Sequence, residues 1–225
     1  MINTPIIIVN FKTYKESTGD NAIKLAEICS KVAEETKTSI AVAVQSTDIY
    51  KISKIVSIPV LSQHIDAILP GRNTGFILPE SVKDAGAIGT LLNHSEHRLD
   101  FDLLKKSIQR AKQAGLKTIV CAKSTEETKN IANLNPDFIA IEPPELIGTK
   151  VSISEARPEI ITDSVNSIKS INNKIKVLCG AGIHNAKDIR KSIELGADGV
   201  LVASVIKRAE NKKEELKKLV SGFVK

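Results

Sequence analysis

A closed (β/α)8 barrel, an α/β fold forming a single domain over residues 1–225, is the architecture this sequence predicts, on three observations. Eight short apolar runs recur along the 225 residues, each followed by a stretch with helical spacing. Their hydrophobicity is continuous where a half-exposed strand would alternate, the pattern of parallel strands covered on both faces. No G-x-G-x-x-G follows the first run, so the usual signature of the competing doubly wound open sheet is missing.

The first run, Ile6–Val9, stops at Asn10, far short of a signal-peptide core or a membrane span, and reads as a buried strand. Behind it Ile23, Ala26 and Ala33, with Leu25, Ile28, Cys29 and Val32, form a helical core face. Ile40–Val44 and Ile58–Leu61 are the second and third runs, and Ala87–Leu92, entered through Gly86, is the fourth. Leu104, Ile108 and Ala111 mark a helix that Gly115 closes before the fifth run, Thr118–Cys121. Ser124-Thr125-Glu126-Glu127 has capping-box spacing and opens the helix leading to the sixth run, Phe138–Ile141. Ile161, Val165 and Ile168 precede Val177–Cys179, and Ile189 and Ile193, closed by Gly196, precede Val200–Ala203. Eight units of about 28 residues each leave room for a strand, a helix and two short loops.

Composition narrows the function. Apolar residues make up 42% and charged residues 26%, which excludes disordered and fibrous chains. Aromatics are 3% with no Trp, so stacking platforms for single-stranded nucleic acid are lacking. The net charge of +6 is scattered; its densest run, Lys212 to Lys218, mixes both signs as a solvated helix does. No nucleic-acid or membrane partner is therefore expected. Cys29, Cys121 and Cys179 lie far apart with neither disulfide nor zinc spacing, which suits a reducing, cytoplasmic setting and gives no metal site.

In a barrel of this kind the chemistry sits at the C-terminal ends of the strands. Asn10-Phe11-Lys12 follows the first run, Asn93-His94-Ser95-Glu96 the fourth, and Glu142-Pro143-Pro144 the sixth. A cation, an imidazole and a carboxylate converging on one mouth make a proton-transfer constellation. Gly180-Ala181-Gly182 after the seventh run and Ala203-Ser204 after the eighth are small residues that expose backbone N–H groups where barrels commonly hold phosphate.

Asn10-Phe11-Lys12, Gln63-His64, Asn93-His94-Ser95-Glu96-His97-Arg98, the run Glu142-Pro143-Pro144-Glu145-Leu146-Ile147-Gly148-Thr149, Gly180-Ala181-Gly182-Ile183 and Gly199-Val200-Leu201-Val202-Ala203-Ser204 occur in order. Together they resemble the triosephosphate isomerases in their shorter archaeal form, over nearly the whole chain. The resemblance implies cofactor-independent interconversion of dihydroxyacetone phosphate and D-glyceraldehyde 3-phosphate, a step of glycolysis and gluconeogenesis, through an enediolate. In its terms Glu142 is the general base, His94 a neutral electrophile and proton relay, and Lys12 the cation beside Asn10, with Glu96 a carboxylate behind Lys12. Asn10, Phe11, Lys12, Ile147, Gly148, Gly182, Ala203 and Ser204 are implied substrate contacts, with neither metal nor organic cofactor. A homo-oligomer is also implied, a tetramer ahead of a dimer.

The chain departs from the family pattern at Phe11, where Tyr or Trp is commoner, at Val44, where Pro usually precedes Gln45, at Val205, where Gly usually follows the Ser, and at Lys150, where Gly ends the lid motif. Two alternatives stand beside this reading. One is another phosphosugar barrel such as an aldolase, although no lysine interrupts the strand interiors for a Schiff base. The other is a non-catalytic phosphometabolite binder.

Overall fold

The computed structural model describes residues 2–146, 149, 151–152 and 157–223. Among these residues eight strands close into a parallel barrel in sequence order, β1 (Ile6–Asn10), β2 (Ser39–Val44), β3 (Val60–Ser62), β4 (Gly89–Leu92), β5 (Lys117–Ala122), β6 (Phe138–Ile141), β7 (Lys176–Cys179) and β8 (Gly199–Val202). The last strand returns to the first, with Ile6 opposite Gly199 and Val9 opposite Val202. Helices lie between them: α1 (Asp20–Thr36), α2 (Ile49–Ile55), α3 (Pro79–Asp84), α4 (Phe101–Gln113), α5 (Thr125–Ala132), α6 (Pro158–Ile171) and α7 (Ala186–Glu194). After β8 come α8 (Ser204–Arg208) and α9 (Lys212–Val220).

Every strand is apolar on both sides because it faces two cores. In β1, Ile6 and Ile8 join Ala41, Ala43, Leu61, Leu91 and Leu178 in the barrel interior, while Ile7 and Val9 join the layer between sheet and helices. The period-2 alternation of a strand thus survives as an alternation between two apolar environments.

Two strands begin later than the runs suggest. Pro59 has no N–H to give a ladder, so β3 starts after it, although its carbonyl still accepts from Val42. Ala87 spends its N–H on Val82 O, finishing the turn that ends α3, and β4 starts at Gly89. The final run also ends sooner, since Ala203 is already the N-cap of α8. Gly86, Gly115 and Gly196 terminate helices with φ of +105°, +72° and +97°, as their positions predict. The capping box at Ser124 is half formed: its hydroxyl takes the Glu127 N–H at 3.1 Å, while Glu127 Oε2 takes the N–H of Lys123 in place of that of Ser124.

Candidate active site

The C-terminal ends of the strands form a mouth containing a cavity of about 260 Å3, lined in part by Asn10, Lys12, His94, Glu142, Gly182 and Ser204. Local backbone geometry aims Lys12 and His94. Lys12 sits at φ +51°, a left-handed conformation that costs a non-glycine residue about 1–2 kcal/mol. It is held there by its N–H on Asn10 Oδ1 (3.0 Å) and by Gln63, whose Nε2 donates to the Lys12 carbonyl at 2.8 Å. The side chain, 16% exposed, turns into the mouth and meets Glu96 Oε1 at 2.7 Å.

Asn93 repeats the device at the end of β4. At φ +57° and buried, it donates from Nδ2 to Cys121 O (2.9 Å) and accepts the Leu99 N–H on Oδ1 (3.0 Å), so the residue after it points across the mouth. That residue is His94, whose Nδ1 accepts the backbone N–H of Glu96 at 3.2 Å. A ring nitrogen that accepts a peptide N–H carries no proton, so in this arrangement Nε2 is the nitrogen left to donate. Nε2 lies 3.5 Å from Glu142 Oε1 and 3.4 Å from Asn10 Nδ2; the carboxylate oxygen is the acceptor of the two, and the Asn10 amide is a packed neighbour.

Glu142 follows β6 directly, its N–H fixed to Ala122 O at 2.7 Å and its residue only 2% exposed. Burial pushes its carboxyl above the ordinary glutamate range, opposed by His94, the Ser95 N–H (3.3 Å to Oε2), the Cys121 thiol and Arg98. This is how a carboxylate becomes a stronger base without leaving the site. Cys121, inside the barrel, is itself pushed well up by burial and by the Glu142 charge, so it stays a thiol and donates toward that carboxylate. Cys29 and Cys179 are likewise fully buried, their thiols pushed up to about 12.

Gly180 completes the setting of the base. A Cβ built on it would sit 2.7 Å from Glu142 Cγ and 3.1 Å from Ile141 O, so the carboxylate stem occupies the space a side chain would need. Gly180→Ala is expected to displace the carboxylate and lower turnover about tenfold to a hundredfold, in line with the cost of misplacing a reacting group by an ångström. Steady-state turnover of that variant at the wild-type level would mean the carboxylate does not work from this position.

The other wall of the cavity is small and polar. Gly182, at φ +65°, and Ala203 and Ser204 at the start of α8 all line it. Of the residues singled out in the sequence, Asn10, Lys12, His94, Glu96, Glu142, Gly182, Ala203 and Ser204 come together at this one cavity. Phe11 does not: its side chain, 2% exposed, continues the outward parity of Ile7 and Val9 into the layer beneath the helices. Ile147, Gly148 and Lys150 lie outside the described residues. Val44 is fully buried at the end of β2, where a β-branched residue suits a strand, and Val205 packs partly against the core.

Sequence reasoning passed over Cys121 and the Ser95 N–H and took Gly180 only as part of a phosphate loop, whereas each of the three touches or crowds Glu142. Cysteine spacing asks only about disulfides and metals, and a glycine after the seventh strand reads first as a phosphate loop. The one available signal was position, since Cys121 and Gly180 both stand at strand ends on the side of the mouth.

A family model described as triosephosphate isomerase matches residues 5–222. The triosephosphate isomerase of Methanobacterium bryantii is 53% identical over 218 residues, 97% of this chain and 96% of that one. That of Methanothermobacter thermautotrophicus is 49% identical over 219 residues, again 97% and 96%. Among solved structures, triosephosphate isomerase from Bartonella henselae superposes with a TM-score of 0.78, covering 99% of this chain and 100% of that one. At 20% identity that last likeness speaks to the fold.

Proposed function

The chain belongs to the triosephosphate isomerase family, and from that premise we propose that Glu142, His94 and Lys12 are the catalytic residues with which it interconverts triose phosphates. It is an aldose–ketose isomerase; family, relatives and fold do not favour the other phosphosugar barrel or the non-catalytic binder. The observation that carries the residue assignment is the Glu96 N–H at 3.2 Å from His94 Nδ1, which leaves Nε2, 3.5 Å from Glu142 Oε1, as the nitrogen that donates into the site.

In this mechanism Glu142 removes a proton from the carbon next to the substrate carbonyl. His94 donates from Nε2 to the carbonyl oxygen as charge develops there, and then passes a proton between the two oxygens of the enediolate. Lys12 faces the developing negative charge, with Asn10 beside it and Glu96 holding the ammonium in place. Glu142 returns the proton to the neighbouring carbon. Phosphate is held by the backbone at Gly182 and Ala203–Ser204, with Ile147 and Gly148 as further contacts carried over from the family. The carbonyl already acidifies the adjacent C–H bond, so no metal or organic cofactor enters the scheme.

We also propose that residues 1–225 act as one domain in the cytoplasm and assemble as a homo-oligomer, a tetramer ahead of a dimer. Among the described residues no helix is long and apolar enough to cross a membrane. The exposed apolar side chains Tyr50, Leu69 and Phe76 (60%, 65% and 59% accessible) support an interface between copies.

A coupled assay of isomerisation tests the function, and His94→Gln within it tests the relay. An amide still donates to a carbonyl but cannot shuttle a proton, so turnover is expected to fall about 10²-fold, at the low end of what loss of an acid–base group costs. Unchanged turnover together with unchanged hydrogen exchange from solvent into substrate would remove His94 from the mechanism.

A further inference from the structure

We infer that His184 and Asp188 are positioning residues: they clamp the connection between β6 and α6 against the loop after β7, and this clamp sets how tightly the phosphate end of the substrate is held. The inference rests on the isomerase reading above and names residues that neither the family motifs nor the sequence reading singles out.

Two successive residues of the β6–α6 connection are tied to the same neighbour. His184 Nε2 lies 3.2 Å from the carbonyl oxygen of Val151, and a carbonyl only accepts, so the ring donates from Nε2. Next in the chain, the Ser152 hydroxyl donates to Asp188 Oδ1 at 2.7 Å, with both residues buried. The second oxygen of Asp188 takes the N–H of His184 at 2.7 Å and that of Asn185 at 3.1 Å. Asn185 Oδ1 in turn takes the N–H groups of Lys187 and Asp188, a full capping box at the start of α7. One buried carboxylate, 1% exposed, therefore gathers donors from the helix entrance and from the β6–α6 connection. Hydrogen bonds to an ionised acceptor are the stronger kind, and breaking one in a dry site leaves a charge short of a partner.

The tied segments are opposite walls of one cavity. Leu146 and Thr149 line it from the β6–α6 connection, and Gly182, Ile183 and His184 line it from the β7–α7 loop. Gly182 is two residues from the clamped His184, so the spacing between the walls is set where phosphate is to be held. The reacting groups are anchored elsewhere: Lys12 by Asn10 and Gln63, His94 by Glu96, and Glu142 by Ala122 and Ser95. Loosening the clamp should weaken phosphate binding and spare the chemistry.

The experiment compares wild type with His184→Ala, His184→Gln and Ser152→Ala. It reads kcat, KM, the inhibition constant of glycerol 3-phosphate, which has the phosphate but no carbonyl, and amide hydrogen exchange of peptides spanning 143–157. Ser152→Ala is expected to raise KM and the inhibition constant together about threefold to tenfold, the worth of one buried hydrogen bond, and His184→Ala to raise both about twofold to fivefold, its bond to Val151 being open to water. Turnover should stay within about twofold, and exchange across 143–157 should quicken. The Gln amide nitrogen can take the place of Nε2, so His184→Gln should restore both readouts. An unchanged inhibition constant in His184→Ala, or a Gln variant as impaired as the Ala variant, overturns the clamp. If wild type fails to isomerise triose phosphates, the reading of the preceding section falls, while glycerol 3-phosphate binding and exchange still decide the clamp.

Discussion

Glu142→Gln should lose about 10³–10⁴-fold in turnover, the upper range for removing a positioned base, while binding glycerol 3-phosphate nearly as well as wild type. The amide keeps the size of the side chain and the Ser95 N–H as a neighbour, and leaves Lys12 and the phosphate wall untouched. What it cannot do is accept a proton from carbon. The wild-type pH profile carries the same information: because burial raises the Glu142 carboxyl, kcat/KM should decline on the acid side at a pH above the ordinary glutamate range. Stability should move the other way. A carboxyl whose folded pKa is raised favours the fold while protonated, and that contribution is lost as pH rises through the folded value. At neutral pH the ionised base therefore strains the structure, and Glu142→Gln should melt higher than wild type, by a margin that shrinks toward acid. A variant that retained turnover, or melted lower at neutral pH, would contradict the role given to this carboxylate.

Lys12→Met ranks next in expected effect. The thioether keeps the length of the side chain and the same left-handed backbone cost, but removes the only cation among the residues that line the cavity from β1. Loss of one positioned electrostatic partner is expected to lower kcat/KM about 10²–10³-fold, with KM rising because the phosphate loses a counter-charge as well. Folding stability should change by less than about 1 kcal/mol, since the Glu96 partner is 58% exposed and pairs of that kind are largely screened by water. Thermal melts and steady-state kinetics on the same preparation separate the two. A loss of stability as large as the loss of activity would show that Lys12 supports the fold more than the reaction.

The barrel was legible because its cause is local: continuous β-branched runs separated by helical stripes and glycine stops can be read one segment at a time. The boundaries that shifted are those where a neighbouring element claims a hydrogen bond, as α3 claims the N–H of Ala87, and no single segment contains that competition. Helices α2 and α3 show no periodic stripe in the sequence, since seven and six residues are too few to display one, and α3 is marked there only by Gly86 at its end. At the site, Asn10, Lys12, His94 and Glu142 were readable from their places after strands. The burial of the Phe11 side chain away from the cavity follows from its parity, which continues the outward series of Ile7 and Val9 along β1. The contacts of Cys121 and Gly180 with Glu142 were invisible for a different reason: these residues approach it from β5 and from the end of β7, and that adjacency exists only once three strands have paired.

The pairing of β8 with β1 bears on how the molecule is made. This seam joins the first strand of the barrel with its last, so β1 waits unpaired on one edge until all seven later strands have been synthesised. Lys12 stands just past one side of that seam, and Ala203 and Ser204 just past the other. The cation and part of the phosphate cradle are thus strangers in a nascent chain and neighbours only in a finished one. Emergence of β8 is in effect a proofreading step: a barrel that has not closed has no assembled pocket, and appearance of activity during synthesis marks completion of the ring itself.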